Sequence, residues 1–288
     1  MKLATYQDGS RDGQLIVVSS DLTMAHHASA IVTRLQLALD DWNFFAPQLQ
    51  DLAQTLELGK ARHAFPFEPR MCMAPLPRAC RVVDVVPAAG APGRWLTLPG
   101  DALAAAHAGV PPADGDGGAG VAPRLVLVTG DVPRGAGPEQ ALDGVRLLML
   151  AGLWSVRCTP AAGAVFAHPQ LAFAPVAVTP DELGRAGLRS RALPTLRVRC
   201  DGEAVEPPAD PVALAAAQGG ALLATLARPA GLRAGTLVSL GGEGRGVVPG
   251  ARVDIEAVTA RGESVFGALV QACAADETVA EAQHSGNP

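Results

Sequence analysis

The feature that most constrains the fold is a pair of apolar runs separated by a short helix opening. The first, Arg124-Leu125-Val126-Leu127-Val128-Thr129, ends at Gly130-Asp131. Pro138-Glu139-Gln140-Ala141-Leu142-Asp143-Gly144 then reads as a short helix, and Val145 to Val156 is a second apolar run. Continuous apolar stretches without polar alternation suit strands buried on both faces, so a sheet lies in the interior of the molecule.

Other segments add strands faster than helices. Leu196-Arg197-Val198-Arg199 alternates and turns at Cys200-Asp201-Gly202, which reads as a hairpin. Pro211 to Leu226 reads as an alanine-rich helix, and Gly235 to Leu240 as a strand ahead of Gly241-Gly242-Glu243-Gly244. Near the end Val253, Ile255 and Ala257 alternate with Arg252, Asp254 and Glu256, and Arg261-Gly262 turns the chain back through Ser264 to Gly267. Many strands with few helices predict a β-rich α+β fold.

Residues 1–75 read as a small N-terminal α/β module. Leu3–Tyr6 and Leu15–Val18 are strand candidates joined by the turn Asp8-Gly9-Ser10-Arg11-Asp12-Gly13. A helix is expected over 28–43, with Ile31, Leu35, Leu39 and Trp42 on one face, and a second from Pro47, with Leu49, Leu52 and Leu56, stopping at Gly59. The second domain is expected over 76–274, followed by a frayed tail over 275–288. Within it, residues 84–120 hold Pro87-Ala88-Ala89-Gly90-Ala91-Pro92-Gly93 and a second Pro/Gly/Asp-rich stretch from Pro111 to Gly118. These read as surface loops, with a short alanine-rich helix from Asp101 to Gly109 between them.

Charge and cysteine usage narrow the function classes. A net charge of -5 over 288 residues argues against nucleic acid, which requires a basic surface to displace phosphate counterions. The short basic cluster Leu188-Arg189-Ser190-Arg191 reads as a solvated face. The five cysteines, Cys72, Cys80, Cys158, Cys200 and Cys273, are scattered without a C-x-x-C pair, as expected of free thiols in a reducing cytoplasm. No run approaches the ~18 apolar residues of a membrane helix, and Met1 to Asp8 lacks the apolar core of a signal peptide.

Several segments, in order, resemble the fumarylacetoacetate hydrolase family. At the N-terminus these are Lys2-Leu3-Ala4-Thr5-Tyr6, Asp8 to Gly13, Gly59-Lys60-Ala61-Arg62-His63-Ala64-Phe65 and Met73-Ala74-Pro75-Leu76-Pro77-Arg78-Ala79. Farther on come Val128-Thr129-Gly130-Asp131-Val132, Pro138 to Met149, Phe173 to Gly184, and the closing hairpin from Gly250 to Ala268. The resemblance implies a small N-terminal domain, a large β-rich domain through which relatives dimerise, and cleavage or rearrangement of small oxo acids at a divalent metal. Hard cations take oxygen ligands, and such a metal polarises a carbonyl and stabilises an enolate.

The ligand positions implied by the resemblance do not carry that chemistry here. The E-x-E glutamate pair falls at Ala122 and Arg124, and the third carboxylate falls at Leu153, beside Trp154. The family lysine falls at His168, the threonine of the Gly-Thr turn at Gly242, and the region of the histidine base within 84–120. A metal beside Arg124 would meet repulsion. No metal and no other cofactor is expected.

The remaining candidates each have a structural alternative. His168 is a candidate acid or base because it titrates near neutrality, or else an ordinary loop histidine. Arg157 beside Cys158 would favour a thiolate there; Cys158 as a small core residue is the other reading. Arg124 and Arg157 suit a bidentate carboxylate clamp, or structural salt bridges. Glu243, in its glycine-rich turn, and Trp154, beside the third ligand position, complete the substrate-binding set. His26-His27 and His63 belong to the N-terminal module; adjacent side chains diverge and make a poor metal pair.

Two functions of different class follow. One is a repurposed, metal-independent enzyme of lyase, hydrolase or isomerase type acting on a small oxo acid or a polyketide-like molecule; it is favoured because an idle pocket would not need Arg124, Arg157 and His168 near one place. The other is a non-catalytic ligand binder, or a partner subunit of an active relative. The expected assembly is a homodimer or such a heterodimer, without nucleic acid or membrane.

Overall fold

The computed structural model describes residues 1–88, 91–110, 119–158, 166–184, 186–190 and 192–274. The expected tail over 275–288 and the Pro111–Gly118 stretch lie outside the described residues, as do the side chains of Arg157, Cys158 and His168. The N-terminal part holds β1 (Lys2–Tyr6), β2 (Gln14–Val18), β3 (Met24–His27), α1 (Leu35–Asp40), α2 (Trp42–Glu57) and β4 (Phe65–Pro66). The chain continues through β5 (Arg81–Ala88), β6 (Ala91–Leu98), β7 (Leu103–Ala104), β8 (Ala119–Thr129), α3 (Pro138–Asp143), β9 (Val145–Cys158) and β10 (Phe166–Val178). It closes with β11 (Thr195–Cys200), β12 (Glu203–Ala204), α4 (Pro211–Ala227), β13 (Thr236–Leu240), β14 (Arg245–Val247), β15 (Arg252–Val258) and β16 (Leu269–Ala272).

The α+β, β-rich architecture is the one expected. The two apolar runs are β8 and β9, paired antiparallel at the centre of a 12-stranded mixed sheet ordered β4-β3-β2-β1-β10-β9-β8-β13-β5-β6. Strand β7 adds to β10 and β14 to β8, and a second sheet is ordered β12-β11-β15-β16. Both faces of the central strands are covered, which explains their unbroken apolar composition. One face of β8 and β9 shares its core with α4 and the smaller sheet, through Leu125, Leu127, Trp154, Leu223 and Ile255. The other shares its core with α1 and α2, through Val126, Val128, Met149, Leu39 and Leu49. The first turn of α4 is capped by Asp210, which accepts from the Val212 amide at 2.8 Å. Gly220 lets α4 close on α3, since a Cβ there would sit 2.6 Å from the Pro138 carbonyl oxygen.

Four local expectations are corrected. Residues 81–88 and 91–98, expected as loop from residue 84, form the paired strands β5 and β6 instead. The reason is tertiary: β5 pairs in parallel with β13, over a hundred residues away, from Arg81↔Thr236 to Val85↔Leu240. The expected helix over Asp101–Gly109 is a 3-10 turn at Gly100–Ala102 followed by β7, where Leu103 and Ala104 pair with Leu171 and Ala172 of β10. The expected helix over 28–43 begins only at Leu35, and Pro47 lies inside α2 rather than at its start. There the proline forfeits one backbone bond, while burial of Leu49, Ala53 and Leu56 holds the helix on its core.

Among the described cysteines, Cys72, Cys80, Cys200 and Cys273 are free thiols. Burial pushes the Cys72 thiol up to about 12, whereas Cys80 is exposed. A thiol-reactive chromophore at mild alkaline pH is therefore expected to label Cys80 in the native protein and Cys72 only after unfolding. Rapid native labelling of Cys72, located by peptide mapping, would contradict its burial.

Candidate functional site

The site is built where the hydrogen-bonded ladder of β8 is interrupted. On one edge β13 pairs with β8 as far as Leu240↔Leu125, and β14 resumes at Arg245↔Val121. The connecting Gly241-Gly242-Glu243-Gly244 runs opposite Ala122, Pro123 and Arg124 without strand pairing. On the other edge Ala122 pairs directly with Leu153. The three positions that the resemblance assigns to carboxylates therefore converge, and their side chains are a methyl, an isobutyl group and a guanidinium.

The guanidinium is held by protein. Arg124 is 1% exposed, and its Nε and Nη2 donate to Asp84 Oδ1 at 2.7 Å and Oδ2 at 3.2 Å. Nη1 donates to the carbonyls of Gly242 at 2.8 Å and Pro123 at 3.2 Å. Asp84, 2% exposed, also accepts from Ser239 Oγ at 2.8 Å. Ser239 is the β13 partner of Asp84, so the carboxylate, hydroxyl and guanidinium share one face of the sheet. Such a bidentate buried pair offsets the desolvation of both ions only because the remaining donors and lone pairs find partners too. Gly241 permits the arrangement: a Cβ there would sit 2.5 Å from Arg124 Nη1 and press on the Pro123 carbonyl.

A cavity of about 630 Å³ opens over this floor. Ala122, Leu153 and the Arg124–Asp84 pair line its base, and Thr97, Ser155, Arg94, Glu243 and Arg245 line its exposed rim. Arg94 Nη2 and Glu243 Oε2 approach to 3.5 Å, but both side chains are more than half exposed, which makes this a weak pair.

The expected site residues are only partly assembled here. Arg124 and Glu243 border the cavity, Arg124 in the salt-bridged form that was one of its two readings. Trp154 borders it as well, but its indole belongs to the opposite face of the sheet. Trp154 pairs with Val121 rather than with Ala122, and its indole N–H donates to Gln271 Oε1 of the smaller sheet. Gly152, two residues earlier on the same face, looks toward Leu269 and Ile255. The Trp154 indole is thus bonded to the smaller sheet, on the face away from Arg124.

Arg157, Cys158 and His168 lie at the far end of the β9–β10 pair, where Arg157 is registered with Ala167, Cys158 with Phe166 and His168 with Val156. Ala151, the partner of Arg124, is six residues from Arg157 along β9, or about 20 Å at ~3.3 Å per residue. The backbone therefore does not bring Arg124 together with Arg157. Asp84, Ser239, Arg94 and Arg245 escaped the sequence reading. Asp84 left one signal: a lone carboxylate within Val82-Val83-Asp84-Val85-Val86, a position that demands a buried partner.

Among the described residues no group of three or more His, Cys, Asp or Glu side chains is placed to hold a metal ion. At the converged positions the residues do not fit a divalent cation, because Ala122 and Leu153 offer no oxygen and Arg124 brings a fixed positive charge. No described helix is long and apolar enough to cross a membrane.

Comparison with known proteins agrees with the architecture. The family model described as Fumarylacetoacetase N-terminal domain 2 matches residues 1–78. No curated protein sequence matches the chain. Among solved structures, maleylpyruvate hydrolase from Sphingobium sp. SYK-6 superposes with a TM-score of 0.71 at 16% identity, over 96% of this chain and 100% of that one. The same hydrolase has been solved in complex with manganese(II) and pyruvate. A putative HpcE protein from Mycobacterium smegmatis gives a TM-score of 0.67 at 17% identity, over 95% of this chain and 100% of that one. A probable 2-hydroxyhepta-2,4-diene-1,7-dioate isomerase from Mycobacterium abscessus gives 0.67 at 15%, over 96% and 99%. The fold, a large mixed sheet with a small N-terminal α/β region, is shared with these solved structures.

Proposed function

We propose that this chain is a metal-independent binding protein for small carboxylates, built on a fold whose other members include hydrolases and isomerases. The observation that carries the reading is the buried Arg124–Asp84 ion pair, which lies at the converged ligand positions and engages the one carboxylate of the cavity floor among the described residues. A cavity of about 630 Å³ is of the size that takes small molecules, and three arginines among its lining favour an anion. The floor supplies shape and a neutral ion pair, and the rim supplies exposed charged and polar groups.

A metal-independent enzyme acting on the same oxo-acid class is the second reading. Glu243 favours it, as a rim carboxylate free of the buried network and able to take a proton. In that reading His168, Arg157 and Cys158 act at the distant end of β9 and β10 rather than over Arg124. The partner expectation, a homodimer or a heterodimer with an active relative, rests on the resemblance and is tested by co-purification and sedimentation. A cytoplasmic location remains part of this proposal.

Calorimetry separates these readings. Small 2-oxo acids are expected to bind in the presence of a chelator, with affinity unchanged by Mn²⁺ or Mg²⁺ and with no substrate consumed by chromatography. Micromolar binding of Mn²⁺ at one site would overturn the metal-independent reading. Turnover lost on replacing Glu243 by glutamine would favour the enzyme over the binder.

A further inference from the structure

We infer that the cavity selects singly charged carboxylates over dicarboxylates, with Arg245 as the anchoring cation and Glu243 as the group that repels a second carboxylate. The inference rests on the carboxylate-binding reading and adds the charge class of the ligand. The charged groups lining the cavity are Arg94, Arg124 and Arg245 against Asp84 and Glu243, which leaves one net positive charge. These charges are not interchangeable. Arg124 is neutralised by Asp84 within the floor, at 2.7 Å and almost wholly out of solvent. Arg94 faces Glu243 at the rim. Arg245 forms no ion pair among the described residues, and it lies on β14 directly opposite Val121, beside the interrupted ladder.

The floor offers no cation of its own, since Arg124 is 1% exposed and held by Asp84, so a carboxylate meets its cation at the rim, at Arg245. The second carboxylate of a diacid finds its cation, Arg94, already shared with Glu243.

The test compares 2-oxopentanoate with 2-oxoglutarate, which share one carbon skeleton and differ by a terminal carboxylate. Titration calorimetry at low ionic strength is expected to show the monoacid binding about tenfold more tightly to the parent protein. Arg245→Ala is expected to weaken the monoacid about tenfold, and Glu243→Gln to strengthen the diacid about tenfold, more than it strengthens the monoacid. Both positions are exposed, so both variants are expected to melt as the parent does. Equal or tighter binding of the diacid to the parent, or no effect from either substitution, overturns the charge rule while leaving carboxylate binding in place. Failure of both acids to bind overturns the function proposed above together with this inference.

Discussion

Replacing Asp84 by alanine is expected to lower the unfolding free energy by about 3–5 kcal/mol, because it strands the Arg124 guanidinium in a site from which water is excluded. Arg124 and Asp84 are 1% and 2% exposed, so a charge left without its partner stays poorly hydrated. Ser239 would also lose its acceptor. The matching double substitution, Asp84→Leu with Arg124→Leu, removes both charges and is expected to recover most of the loss, since a buried pair costs nearly as much to desolvate as it returns. Urea unfolding with a constant denaturant slope measures both variants and gives their coupling directly. An Asp84→Ala protein within about 0.5 kcal/mol of the parent would show that the pair is not buried as described.

The second large effect is expected at Trp154. Truncation to alanine removes a fully buried indole between the two sheets and is expected to cost about 3–5 kcal/mol. Trp154→Phe keeps most of the volume and forfeits the bond to Gln271, at a cost of about 1 kcal/mol. Gln271 in turn donates to the Ala108 carbonyl at 3.0 Å, so loss of the indole also loosens an anchor of the chain leading toward β8. Because the indole occupies the opposite face from Arg124, carboxylate affinity of folded Trp154→Phe is expected to equal that of the parent. A large loss of affinity with little loss of stability would return Trp154 to the binding site.

The β8 and β9 runs were legible because strands buried on both faces carry no competing pattern, and the alternation of β15 was legible because one face is wet. The short N-terminal strands were equally plain between their turns. The β5–β6 hairpin was missed because its Pro/Gly-rich tip resembles loop, and its strongest tie is to β13, far along the chain. The α2 boundary was missed because a proline usually opens a helix, whereas here the buried face outweighed one lost bond.

At the site, residue identities in the chain already stated that Ala122, Arg124 and Leu153 cannot act as oxygen ligands. That conclusion needed only their side-chain chemistry and the frame that aligned them. The sequence by itself thus determined the class of fold and the replacement of carboxylates at those three positions. It did not determine what replaced them. Asp84 reaches Arg124 across forty residues, and Ser239 reaches Asp84 across 155, so the pair exists only once β5, β13 and β8 are laid side by side. The faces of Leu153 and Trp154 were likewise set by register, since a shift of one residue along a strand exchanges core for cavity. Burial then decided the energetics: the same arginine that on a surface would be a mobile ligand clamp becomes, out of water, a charge that must keep its carboxylate.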